Sequence, residues 1–233
     1  MIDIAKNIHA VQTEIQHLVR RYCRDINNIQ IIAVSKFHAI KAIETAYQHG
    51  LHHFGENYVQ EALPKISAFK KENLTWHFIG RLQTNKLRVI AENFDWVHTV
   101  CTFKQALKLS QARPDSLAPL NVCIQVNLEP SSLKNGINLL DLPALINSLK
   151  EMPKIKLVGL MTMTQPQEDV SAQYKLYCQL SEARSRLNRD GMLSVLSMGM
   201  SQDIEAAIAA GSTHLRIGTA LFGPRHDKEK KND

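Results

Sequence analysis

One pattern constrains this chain more than any other. Short apolar runs alternate with segments of helical spacing from residue 30 almost to the end. The apolar runs are "IQIIAVS", "HHFG", "TWHFIG", "FDWVHTV", "LNVCIQVN", "IKLVGLM", "LSVLSMG" and "THLRIG". Between them lie "IKAIETAYQHG", "VQEALPKISAFKK", "FKQALKLSQAR", "LPALINSLKE", "YKLYCQLSEARSRLNRDG" and "SQDIEAAIAAG". Several of these segments close on glycine, at Gly50, Gly191 and Gly211, as helix C-termini commonly do. Strands that alternate with helices pair in parallel, because each crossover returns the chain to the same end of the sheet. Eight such strands in 233 residues predict one α/β domain, a small (β/α)8 TIM barrel. The alternative is a doubly wound open sheet. It uses fewer strands over this length, and no GxGxxG turn follows the first strand.

An extra helix precedes the barrel. Ile4, Ile8, Val11, Ile15 and Leu18 recur at helical spacing with polar residues between them. This start lacks a signal-peptide core, and no apolar run in the chain is long enough to cross a membrane. A cytoplasmic location is expected. Cys23, Cys101, Cys123 and Cys178 are scattered, with neither CxxC nor zinc spacing, so reduced thiols are expected and no metal. The barrel is expected over 1–225, followed by a polar, disordered tail over 226–233.

The net charge of +6 raises nucleic acid as a partner. The basic residues are dispersed over "RRYCR", "RLQTNKLR" and "KEKK", without interleaved stacking aromatics. Solvated helix faces account for most of this charge, so nucleic-acid binding is not expected.

In a barrel of this kind the C-terminal strand ends carry the site. Lys36 stands at such an end, directly after a buried-looking strand. So do Asn57, Arg81, Asn127, Ser201 and Gly218. The loops after strands seven and eight, "SMGMS" and "IGTALFG", are where barrels often hold phosphate. Gly199 and Gly218 allow close backbone approach there. Ser201 and Thr219 offer hydroxyls and suit helix N-caps. Ordinary turn chemistry would use the same residue types. Strand alternation puts His214 and Arg216 on one face. An enclosed Arg216 needs an acceptor: a ligand, or an acid on a neighbouring strand such as Glu56. Lys36 is either a solvated strand-end cation or a site residue. An amine in a desolvated site is pulled below its reference pKa of roughly 10.4 and becomes a nucleophile toward aldehydes. A phosphate cup opposite such an amine, with a cation between, suits pyridoxal 5'-phosphate (PLP).

The blocks "AVSKFHAIKAIETAYQHGLHHFGENYVQEALPK", "WHFIGRLQTNK", "VNLEPSSLKNGI", "VGLMTM" and "LSMGMSQDIEAAIAAGSTHLRIGTALFGPR" resemble the pyridoxal phosphate homeostasis protein family. The resemblance spans about residues 31–225. It implies the barrel of alanine racemase without that enzyme's second, β-rich domain. It implies PLP held as a Schiff base on Lys36, with Arg216 beside the pyridine nitrogen. Ser201, Gly218 and Thr219 are implied at the phosphate, and Asn57 in the pocket. The implied role is non-enzymatic: PLP (vitamin B6) and amino/keto acid balance. PLP-dependent apo-enzymes are expected as partners, and a monomer as the state. The departures lie at Phe37, His38, "LEP" and "LMTMTQP", away from the implied ligands. A racemase also needs a second acid/base, which in alanine racemase is a Tyr from the second domain. Tyr58 and His77 are the substitutes on offer here, and both are expected to pack or hydrogen-bond near the pocket. An active racemase or lyase is the competing function.

Overall fold

Asp3 opens the first helix, its side chain accepting from the Lys6 N–H at 3.0 Å. Helix α1 (Ile4–Arg21) then buries Ile8, Val11, Ile15, Leu18 and Val19 and ends on Arg20 and Arg21, suited to its C-terminal dipole. The computed structural model describes residues 2–70, 73–129, 135–165, 167 and 169–224. The expected tail, Arg225, and residues 130–134 of the "VNLEPSSLKNGI" block lie outside them.

After α1 the elements alternate as expected: β1 (Gln30–Val34), α2 (Ile40–Gln48), β2 (His53–Glu56), α3 (Val59–Ala68) and β3 (Thr75–Phe78). A 3-10 turn (Thr84–Lys86) leads into α4 (Leu87–Asn93), followed by β4 (Trp96–Val100), α5 (Phe103–Ala112), β5 (Leu120–Val126) and α6 (Leu142–Leu149). The chain continues through β6 (Ile155–Thr162), α7 (Val170–Leu187), β7 (Val195–Ser197), α8 (Ile204–Ala209), β8 (His214–Ile217) and α9 (Thr219–Phe222). The strands form one closed barrel in sequence order, every pair parallel. Closure pairs β8 with β1, Ile217 opposite Ala33. The open doubly wound alternative is thereby excluded.

The apolar core lies between the strands and the surrounding helices. Ile32, Ala33, Ile43, Phe54, Ile90, Leu109, Ile124 and Leu215 are fully buried in or beside it. Burying such a side chain contributes roughly 1.5–3 kcal/mol. α1 lies across α2, α8 and α9 and so covers the seam where the barrel closes. Gly50 and Gly211 take left-handed φ of +85° and +100° directly after the caps of α2 and α8, as their positions suggested, whereas α7 already ends at Leu187 and Gly191, with φ +70°, lies in the turn beyond its Asn188 cap. Helix α4 is the element whose pattern is hard to see. Its seven residues offer only Leu87, Ile90 and Ala91 to the core, behind the basic stretch "RLQTNKLR".

Candidate functional site

The C-terminal strand ends surround a cavity of about 540 Å³. Lys36, Asn57, Ser201, Arg216, Gly218 and Thr219 all line it. They come from four strand ends, β1, β2, β7 and β8, that only barrel closure brings together. The volume falls within the range of about 300–1,000 Å³ that suits a small cofactor. Val34, Ile79, Met163 and Met200 supply apolar wall. His38, and Met163 of the "LMTMTQP" block, were expected away from the implied ligands, but both line the cavity beside them, because the β1 turn and the end of β6 open on the same barrel mouth; Gln202 and Asp203, which did not stand out in the sequence, line it too. Arg81 and Asn127 are not in the lining, although they too follow strands. Arg81 is exposed, and Asn127 Oδ1 accepts from the Glu129 N–H at 3.0 Å.

Lys36 lies two residues beyond β1, its Nζ 5.9 Å from the centre of the Phe37 ring. Phe37 has φ +66°, a left-handed conformation unusual for a side chain of this size. Asn57 follows β2 directly. A Cβ on Gly80 would sit 2.0 Å from the Asn57 carbonyl oxygen, so only glycine lets the chain leaving β3 pass against Asn57. Asn57 Oδ1 is buried and has no hydrogen-bond partner. A buried acceptor left so is costly.

Arg216 is 4% exposed. Its Nη1 donates to Ser197 Oγ at 2.9 Å and its Nη2 to the Thr162 carbonyl at 2.8 Å. Burial pulls the guanidinium below its ordinary pKa. The ion pair with Glu56 considered from sequence is not formed. Glu56 is taken by Lys65 Nζ and by the Ser35 hydroxyl, at 2.8 and 2.6 Å. The reason is register: Glu56 ends β2 toward α3, whereas the guanidinium reaches across the interior toward β6 and β7.

Ser201 is not a helix N-cap either. α8 begins at Ile204, with Asp203 at its N-cap position. Ser201 Oγ instead accepts from the Ala220 N–H at 3.1 Å and so ties the β7 loop to α9. Gly218 stands at the N-cap position of α9 and Thr219 is its first residue. Gly199, with φ +97°, permits the bend between β7 and Ser201, and a Cβ there would meet Ala207 Cβ at 2.5 Å. Asp203 fastens the loop, accepting from the Met200 N–H and from the Tyr177 hydroxyl.

The two proposed substitutes for a catalytic acid/base lie elsewhere. His77 is fully buried inside the barrel, 2.9 Å from His53 and 2.8 Å from His98 between ring nitrogens. Tyr58 packs its ring against Phe37 at 5.4 Å and does not line the cavity. His98 Nδ1 in turn lies 2.9 Å from Ser197 Oγ, so a file of histidines runs up to the residue that holds Arg216. The sequence signal for that file was a histidine in each of "HHFG", "TWHFIG", "WVHTV" and "THLRIG".

The chain as a whole resembles proteins already known. The alanine racemase N-terminal domain family matches residues 7–226. The pyridoxal phosphate homeostasis protein of Pseudomonas aeruginosa is 46% identical, over 97% of both chains. That of Escherichia coli K12 is 44% identical over 99% of this chain and all of its own. The chain belongs to the pyridoxal phosphate homeostasis protein family. Among solved structures, PipY of Synechococcus elongatus with PLP bound is 34% identical, with a TM-score of 0.83 over 95% of this chain and 100% of that one. Alanine racemase of Corynebacterium glutamicum is 15% identical, with a TM-score of 0.68 over 95% of this chain and 61% of that one. The last likeness shows the shared barrel alone. Among the described residues no helix is long and apolar enough to cross a membrane, and no cluster of His, Cys, Asp or Glu could hold a metal.

Proposed function

We propose that this chain binds pyridoxal 5'-phosphate in the barrel-mouth cavity, as a Schiff base on Lys36, and serves PLP and amino/keto acid homeostasis without robust catalysis. One observation carries the reading. Lys36, Asn57, Ser201, Arg216, Gly218 and Thr219, from four separate strand ends, line a single cavity. The residues fit the cofactor group by group. PLP supplies an aldehyde that condenses with an amine, releasing water, and a pyridine ring that can withdraw electrons. Lys36 Nζ gives up its proton and provides the amine. Ser201, Gly218 and Thr219 stand where a phosphate would be met by hydroxyls and backbone N–H groups. Arg216 has donors only, so beside the ring nitrogen it disfavours protonation there. That weakens electron withdrawal by the ring and favours holding over chemistry. The burial of His77 within the histidine file and the packing of Tyr58 on Phe37 support the same reading.

The reading includes a monomer in the cytoplasm, where free thiols such as Cys23 and Cys101 persist, delivering PLP to apo-enzymes. The test is to add PLP, reduce with borohydride and map the adduct. A single pyridoxyl group on Lys36, lost in Lys36→Ala, is expected. Label spread over surface lysines would return Lys36 to a solvated strand end.

A further inference from the structure

We infer that Lys65 is a positioning residue which, gripped between Glu56 and Glu61, fixes the turn that presents Lys36. The inference rests on Lys36 being the attachment point for the cofactor.

The turn is held on both sides of Lys36. On the preceding side, Lys65 Nζ donates to the Ser35 carbonyl at 2.8 Å. On the following side, the Phe37 N–H donates to Glu61 Oε1, which also accepts from Lys65 Nζ. Glu56 Oε1 completes the grip, accepting from Lys65 Nζ at 2.8 Å and from the Ser35 hydroxyl at 2.6 Å. Lys65 and Glu56 have side chains 5% and 0% exposed. A buried ion pair of this kind contributes little to stability over apolar residues of the same volume, because desolvation cancels much of the attraction. Its presence under one turn calls for another explanation.

The backbone supplies that explanation. Phe37, at φ +66°, holds a left-handed conformation that its Cβ disfavours against an ordinary one. Such a residue persists only where its surroundings over-determine it, and such residues concentrate at functional sites. Here the Glu61 carboxylate holds the strained N–H, and Lys65 holds the carboxylate. The grip fixes the two peptide units that aim Lys36 at the cavity. It belongs to α3 and β2, not to the cavity wall: neither Lys65 nor Glu61 lines it. A misplacement of about 1 Å from a change away from the chemistry can slow a reaction by as much as 100-fold.

The test uses the full chain as Glu61→Ala and Lys65→Met. Glu61 is 24% exposed at its side chain, so Glu61→Ala is expected to fold even where Lys65→Met does not. Two measurements are made on each. Hydrogen exchange at the Phe37 amide, read without cofactor, is expected to speed up by about tenfold or more for Glu61→Ala, which removes the acceptor. The rate of borohydride-trapped labelling of Lys36 is expected to fall by about 10- to 100-fold over the whole pH–rate profile. Wild-type exchange and wild-type labelling in folded Glu61→Ala would overturn the inference. Because the exchange needs no cofactor, absence of label on wild-type Lys36 would sink the cofactor reading and leave the grip to be judged on Phe37 alone.

Discussion

Arg216 shows how much one residue can be asked to do. It sits inside the barrel with Ser197 Oγ and the Thr162 carbonyl as its hydrogen-bond partners. Neither carries a charge, so no hydrogen-bonded carboxylate neutralises the guanidinium, and the acid that acts on it, Asp203, does so across the cavity lining. Replacing Arg216 by Gln removes its charge and is expected to raise the pKa of the bound cofactor's ring nitrogen by about one unit or more. Nitrogen-15 spectra of labelled PLP on Arg216→Gln would read the change, and an unmoved resonance would take Arg216 away from the ring. Both Lys36 and Arg216 were legible in the sequence. A cation straight after a buried strand, or within one, is a local anomaly. Lys65 and Asp203 were not legible, because a lysine in "EALPK" and an acid in "SQD" fit ordinary helix surfaces. Their roles arise from residues 30 and 26 positions away, Ser35 and Tyr177, which no local pattern connects to them.

The eight strands stood out because both of their faces are enclosed and leave short continuous apolar runs, while α4 has barely two turns in which to show a helical period. The long α1 is the opposite case, and it allows a test. Ile15 is 1% exposed where α1 covers the closing seam, so Ile15→Ala should lower the unfolding free energy by about 2–5 kcal/mol in urea titrations. A cost under about 1 kcal/mol would mean that the helix is peripheral. The strands carry their own titration. Burial holds His53 and His214 down to about 4 from 6.5, and pushes His77 and His98 down as well. With folded values below unfolded ones, the unfolded chain binds more protons between the two. The stabilisation is therefore complete above about pH 6.5 and is lost as pH falls toward 4. Each histidine contributes a slope of at most about 1.4 kcal/mol per pH unit. Urea midpoints should fall steeply between pH 6.5 and 4, and less steeply in His98→Gln. A flat midpoint across that range would mean that the file is charged, or open to water, in the folded protein.

At the scale of the whole molecule, closure decides what the cavity can do. The barrel gathers Lys36, Arg216 and the two late loops at one end and sends its histidines down the interior. A protein that only holds PLP needs the first set. One that racemises or eliminates also needs a second acid/base facing the substrate carbon across the ring from Lys36. Tyr58 and His77 are turned to packing and to the histidine file, which leaves His38 and Asp203 as the titratable groups beside Lys36 in the cavity lining. His38 stacks on Phe222 at 4.9 Å, and Asp203 is bound to Met200 and Tyr177. Both are occupied in shaping the walls. The expectation is concrete: in deuterated water the loaded protein should exchange the α-proton of alanine or serine no faster than an equal concentration of free PLP. Exchange at least tenfold faster would reveal a working acid/base at the barrel mouth. His38→Gln and Asp203→Asn would then say which of the two wall residues supplies it, since only the true proton carrier would return the rate to that of the free cofactor.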